Sequence, residues 1–279
     1  MRKFLLPYTI TSVVSIAVFF CGCDTVQTRK PDGRCVGSEN ITQALAAIDA
    51  NQNIRPVQAS GRCTITLYEK GDKRSETPDV QLRFVPPYNI YFGGTILMQE
   101  SFRLGLNDSQ FWYRVKPMSE FYYGDRIYAQ RCRDDELINP ATLLEAMGIV
   151  SVDKTWEFKK GNYEDILTKN NDKGRPVKKI YVNHCSGLIG RIEYYDKSDI
   201  PDVTMVLGGY TFDDGLTVPT KIDIISRDLD GISLEIRFAS VKLFEPTAAQ
   251  LNGKLFKMPS KDGYEKIYKL DDDCRFIRE

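Results

Sequence analysis

The chain has 279 residues, with 38 basic side chains, 38 acidic ones and a single histidine. That length is ample for a real core, in one large β domain or two small ones. The even charge balance leaves no electrostatic footprint for nucleic acid, and one histidine gives no material for a His-based metal site or triad.

The first elements concern export. Arg2 and Lys3 precede seventeen uncharged residues, Phe4 to Phe20, and then Cys21-Gly22-Cys23 and polar Asp24. A basic start, an apolar run and a small residue before a cut make a secretory signal. A cysteine at the cut resembles a bacterial lipoprotein signal, in which the thiol takes a diacylglycerol. Gly22 before Cys23 is small enough for the peptidase and Phe20 before Cys21 is not, so residues 1–22 are expected to be removed and Cys23 to carry the lipid. An uncleaved membrane helix is the competing reading, because seventeen residues stand at the lower limit for spanning. Each buried CH₂ contributes about 0.8 kcal/mol, so one acyl chain anchors marginally and two or three hold firmly. Asp24 resembles the signal that keeps some lipoproteins in the inner membrane.

Residues 23–38 hold Thr, Lys, Pro, Asp and Gly with almost no apolar side chain, and are read as a flexible tether. Asn40 then reads as a helix N-cap with Gln43 three residues on. Ile41, Leu45 and Ile48 form one apolar stripe, and the helix is expected to end near Asn51. From Val57 the period changes to two. Short runs rich in aromatic and β-branched residues follow, through Cys63-Ile65-Leu67, Val80-Leu82-Phe84, Tyr88 to Phe92, Phe102-Leu104-Leu106, Phe111 to Val115 and Phe121 to Tyr123. They are separated by turn residues such as Pro86-Pro87 and Asn107-Asp108, which predicts an antiparallel meander. Asn139-Pro140 starts a second helix with Leu143, Leu144 and Met147 on one face and Gly148 at its end. Seven more strands are expected between Trp156 and Phe238, then a helical turn capped by Thr247 and Gln250. No strand is expected in the charged tail from Tyr264. With no repeat and no linker, residues 39–279 read as one domain.

This order of elements resembles the LolA/LolB-like lipoprotein carrier superfamily. The resemblance rests on Val57 to Ile65 as the first strand, Leu82 to Tyr88 as the second strand and its break, Asn107 to Tyr113, and the helix from Asn139-Pro140 to Met147-Gly148. It implies an α+β, mostly β fold: an unclosed antiparallel β-barrel, or half-barrel, with helices covering the concave face. It also implies a lipid or lipoprotein acyl chain as partner. The candidate lining is Ile65, Leu67, Leu82, Phe84, Ile90, Phe92, Leu104, Leu106, Phe111 and Tyr113, with Leu144 and Met147 on the lid. The same positions could simply pack against the helices of a filled core. A sixteen-carbon chain would gain roughly 10 kcal/mol gross on burial there, before ordering costs.

Signals for chemistry are weak. No Gly-x-Ser-x-Gly, phosphate loop or nucleophile set is present, so no enzyme activity and no cofactor are expected. Cys35, Cys63, Cys132, Cys185 and Cys274 are widely spaced with no CxxC, which gives no zinc pattern. An exported location permits disulfides; their connectivity is not readable, and the odd count leaves one thiol over. His184 beside Cys185, the Asp228 to Gly231 loop and the Asp271 to Asp273 run are read as strand end, turn and solvated surface, without metal. The sequence therefore predicts a lipid-anchored protein of the bacterial cell envelope, facing the periplasm. It either holds a lipid or lipidated protein or, with a filled interior, presents a surface to an envelope partner.

Overall fold

A computed structural model of the chain describes residues 35–52, 55–69, 72–131, 140–196, 198–227 and 232–279. The expected signal segment, Cys23, Asn139, Cys132 and the Asp228 to Gly231 loop lie outside the described residues.

The chain opens with helix α1 (Ile41–Asn51), whose Asn40 side chain accepts a hydrogen bond from the Gln43 amide at 3.1 Å. Strands β1 (Val57–Glu69), β2 (Asp72–Glu76), β3 (Asp79–Val85), β4 (Asn89–Ile96), β5 (Gln99–Leu106), β6 (Gln110–Val115) and β7 (Glu120–Asp125) form a meander. Two short helices follow, α2 (Arg126–Arg131) and α3 (Pro140–Ala146). The chain then returns to strands β8 (Glu157–Lys160), β9 (Glu164–Asn170), β10 (Pro176–Asn183), β11 (Ile189–Tyr194), β12 (Val203–Gly208), β13 (Lys221–Ser226) and β14 (Ser233–Leu243). Helix α4 (Ala248–Asn252) carries the full Thr247–Gln250 capping box, and β15 (Lys266–Leu270) and β16 (Phe276–Arg278) close the chain.

All sixteen strands belong to one sheet, ordered β16-β15-β7-β6-β5-β4-β3-β1-β14-β13-β12-β11-β10-β9-β8, with β2 on the far half of β1. The path ends at β16 on one side and β8 on the other, so the sheet curls without closing. Strand β1 is the hinge of the topology. Its first half pairs with β3, its second half with β2, and its opposite edge with β14 from Val57 to Thr66. Gly61 sits at the β1–β14 register shift, where a Cβ would stand 2.0 Å from the Arg237 carbonyl oxygen. Only glycine lets the two backbones approach so closely.

Period two decides the faces. Val80, Leu82 and Phe84 on β3 point inward at 1% exposure each, while Gln81 and Arg83 point out. The inward set from every strand but β2 merges into one apolar cluster with Ile48 of α1 and Met147 after α3. The outward set is also buried around β6 and β7, where Trp112, Phe121 and Tyr123 are covered by Tyr264 and Met258 of the C-terminal segment. That cover corrects the reading of the tail. β15 runs parallel to β7 and β16 antiparallel to β15, so Lys266 to Arg278 extends the sheet. Terminal strands with lysine on their solvent face resemble loop, because they need only one apolar face and one paired edge. Helix α2 was not anticipated either.

The β4–β5 hairpin departs from turn chemistry. Its central residues, Leu97 and Met98, have φ of 48° and 65° and are 91% and 98% exposed. Two positive φ angles make this a type I′ turn, which favours Asn-Gly and penalises residues with a Cβ by about 1–2 kcal/mol each. The double substitution Leu97→Asn with Met98→Gly is therefore expected to raise stability by about 1–2 kcal/mol, read from the shift in urea midpoint at unchanged slope.

Candidate functional site

The concave face places ten of the twelve candidate lining residues in a single cluster. Leu82, Phe84, Ile90, Phe92, Leu104, Leu106, Phe111, Tyr113, Leu144 and Met147 are each less than 10% exposed and pack together. Ile65 is half-buried at the border of that cluster. Leu67 is 41% exposed, because the far half of β1 leaves the barrel with the fully exposed β2 as a two-stranded arm.

Helix α3 closes the concavity by bridging its two halves. It packs near β5 on one side. On the other, Glu145 reaches Lys178 of β10 and Tyr194 of β11, which lie eight and seven places from β5 in the sheet. One Glu145 carboxylate oxygen forms an ion pair with the Lys178 ammonium, and the Tyr194 hydroxyl donates to the other. Lys178 is 2% exposed, and its Nζ lies 5.3 Å from the Tyr194 ring centre and 6.0 Å from that of Trp156. The segment after α3 is tied to the end of α1: the Val150 amide donates to Gln52 Oε1 at 3.1 Å. Sequence reasoning missed Lys178. The signal was its phase: Lys178, Ile180 and Val182 share one face of β10, and a lysine in register with two core residues needs a buried partner.

A second constellation lies where the chain enters the domain. Cys35 is bonded to Cys185, 150 residues away. The strap 35–38 crosses over a buried His184–Asp165 pair, whose Nε2 and Oδ1 are 2.9 Å apart. The Ser38 amide donates to Asp165 Oδ2 at 2.8 Å, and Lys160 Nζ to the Gly37 carbonyl at 2.9 Å. A cavity of about 550 Å³ opens between strap, α1 and the 183–187 turn, lined by Gln43, Ala47, Asn51, His184 and Ser186 among others. It is separate from the candidate lining. Residues 35–38, which composition assigned to the tether, are thus packed on the domain. Cys274 is disulfide-bonded too. Cys63 is free and buried, and burial pushes its thiol up to about 12, so it is a packing residue and not a nucleophile.

The outer face of β10 and β11 carries a third polar group. The Tyr181 and Tyr195 hydroxyls both donate to Glu193 Oε2 at 2.6 Å, and Arg191 stacks 3.8 Å over the Tyr181 ring. Burial raises the Tyr181 phenol from its ordinary 10.0 to about 12, and the Glu193 carboxylate adds to the rise. Tyr195 moves up for the same causes. A folded value above the unfolded one means that this stabilisation is complete below about pH 10 and is lost as pH climbs through 12. Stability measured by urea unfolding is expected to fall across that window, and Tyr195→Phe to flatten the fall.

Fold and concave face together define a class: half-barrel proteins with an apolar interior under short helices. The chain shares this fold with solved bacterial proteins. An outer membrane lipoprotein-sorting protein domain from Vibrio parahaemolyticus superposes with a TM-score of 0.50 at 9% identity, over 76% of this chain and 96% of its own. A DUF1329 family protein from Desulfovibrio piger ATCC 29098 gives 0.50 at 11% identity, over 77% and 97%. A LolA superfamily protein from Nitrosomonas europaea gives 0.49 at 12%, over 77% and 97%. No protein-family model matches the sequence, and no curated protein does. At such identities the likeness is one of fold.

Proposed function

We propose that the protein is a lipoprotein of the bacterial cell envelope that holds a lipid or a lipidated protein against the concave face of its half-barrel, in lipoprotein sorting or transport. It acts by binding, without chemistry. Cys23 carries the anchor, and Asp24 favours the inner membrane, on the periplasmic side. Eleven residues lie between Cys23 and Cys35, which makes twelve steps of roughly 3.3–3.6 Å each, so the domain can stand up to about 40 Å from the bilayer surface. No helix among the described residues is long and apolar enough to cross a membrane.

The observation that carries this reading is the cover. A sheet with one continuous apolar face needs a partner layer, and here the two halves are bridged by a seven-residue helix that sets Leu144 and Ala146 into the core and joins Glu145 to Lys178 and Tyr194. A cover that small leaves less to displace than a second sheet would. Full-length protein extracted from membranes and analysed by native mass spectrometry is expected to retain a lipid-sized ligand. Leu144→Asp, which places a charge at an 8% exposed lid position, is expected to lower retention at least about tenfold while the sheet stays folded. A chain without an acyl group on Cys23, or a reproducibly empty protein, counts against the reading. The close packing of the ten inward residues favours a second one, an envelope interaction module with a self-filled interior. One stoichiometric cross-linked protein partner, with no lipid, is its signature.

A further inference from the structure

The outward face of the three central strands carries a polar grid. Arg83 of β3, Gln58 of β1 and Lys242 of β14 stand side by side on one rung, and Gln81, Ser60 and Ser240 on the rung two residues along. Gln58 and Ser60 alternate with buried Val57 and Ala59, so they point away from the core. These six side chains and the sheet beneath them line a cavity of about 230 Å³. It opens on the opposite side of the sheet from the concave face, and none of the six is a carboxylate. Among the described residues, Gln58, Ser60, Gln81, Ser240 and Lys242 make no side-chain hydrogen bond or ion pair. Arg83 only lies over the Phe244 ring, 5.8 Å from its centre. By contrast, Arg62 of β1, Arg103 of β5, Arg114 of β6 and Arg237 of β14 each face a carboxylate.

We propose that this grid is a binding site for a single phosphate group. A guanidinium, an ammonium, two amides and two hydroxyls surround the dip, all able to donate hydrogen bonds. Neighbouring strands lie about 4.8 Å apart, so the Arg83 and Lys242 backbones stand roughly 10 Å apart across β1. That gap lets both long side chains close on one tetrahedral oxyanion, Arg83 by a forked contact and Lys242 as a point charge. The short side chains of Ser60 and Ser240 leave the depth between them. At about 230 Å³ the cavity is smaller than the roughly 300–1,000 Å³ that encloses a whole small molecule, so it takes the phosphate and leaves the rest of the ligand outside. The phosphate comes from a lipid headgroup at the membrane surface or from a small soluble compound. In the lipid case the site lays the outer face of the central strands against the bilayer. The site uses neither the anchor nor the concave face, so it goes beyond the apolar-ligand reading and does not rest on it.

The test reads Lys242 itself. Full-length protein is acetylated with a pulse of an N-hydroxysuccinimide ester, and the rate at each lysine is measured by mass spectrometry. One arm holds the protein in nonionic detergent and titrates inorganic phosphate against chloride at constant ionic strength. The other compares nanodiscs of phosphatidylglycerol with nanodiscs of an uncharged galactolipid. Lys242 is expected to react several-fold more slowly in at least one phosphate arm, while Lys73 on the fully exposed β2 is unchanged. Protection by the free ion marks a soluble ligand, and protection on phosphatidylglycerol alone marks a lipid headgroup. Arg83→Gln, a neutral side chain of similar reach, is expected to raise the phosphate concentration or lipid fraction needed by about tenfold or more, as loss of a hydrogen bond to a charged group requires. Ser60→Asp, which sets a carboxylate in the dip, is expected to abolish the protection. Equal Lys242 rates with and without phosphate in both arms overturn the site. So does a slowing shared by Lys73, which is general screening, or protection that survives Arg83→Gln. None of these outcomes bears on ligand retention by the concave face.

Discussion

Lys178→Met is expected to cost about 3–5 kcal/mol of unfolding free energy, the range for removing one partner of a buried ion pair. The physical reason is the carboxylate left behind. Lys178 is 2% exposed and Glu145 20%, so Glu145 can rehydrate partly, which favours the lower half of that range. Tyr194 keeps one hydrogen bond to it but brings no charge. Adding Glu145→Leu removes the stranded carboxylate. The double variant is expected to return to within about 1 kcal/mol of the natural protein, since replacing a buried pair by packed apolar side chains is often neutral or stabilising. A double-mutant cycle from urea unfolding gives the coupling directly. Trp156 fluorescence is a suitable probe, because its ring stands 6.0 Å from the lysine nitrogen. A single-variant loss below about 1 kcal/mol would mean that Lys178 finds no low-dielectric site, and that α3 is not held by this pair.

The pair also explains what sequence could and could not disclose. Alternation in Val80-Leu82-Phe84 or Ile90-Phe92 states which face is buried, because a strand has only two. Asn40 and Thr247 cap helices through local bonds, over three residues, so their roles were legible. The Asn107 turn was legible for the same reason: its side chain accepts from the Ser109 and Gln110 amides. Contacts across the curl were not. Glu145 and Lys178 are meaningful only once α3 lies over β10, and nothing within a few residues of either encodes that. The parallel β15–β7 pairing joins Lys266–Lys269 to Glu120–Tyr123 without a hairpin, so no turn announced it. Leu67 shows the converse. Its alternation with Ile65 is sound, but β1 outlives the barrel, and the same pattern continues into an exposed arm.

The longest of these invisible contacts carries the second large effect. Replacing both Cys35 and Cys185 by Ala is expected to cost about 2–5 kcal/mol. The bridge closes a loop of 150 residues, and in the chain-entropy account the loss of denatured-state freedom grows with the logarithm of that length. The upper end of the range applies if the strap stays docked without its bond. Two further links hold it, Ser38 to Asp165 and Lys160 to Gly37, and Gly37 lies so close to the His184 ring that a Cβ would stand 2.2 Å from it. Both are single, part-buried hydrogen bonds from the strap to β8 and β9, so they are expected to open without the disulfide. Hydrogen exchange then separates two contributions. Faster exchange confined to the start of α1 and the 183–187 turn reports the strap letting go, while a uniform rise across β9 to β14 reports the entropy of the long loop. Reductant alone cannot make this distinction, because Cys274 is disulfide-bonded as well; the double Ala variant isolates the Cys35–Cys185 bridge. A variant as stable as the natural protein, with unchanged exchange in the turn, would show that the buried His184–Asp165 pair under the strap holds that corner by itself.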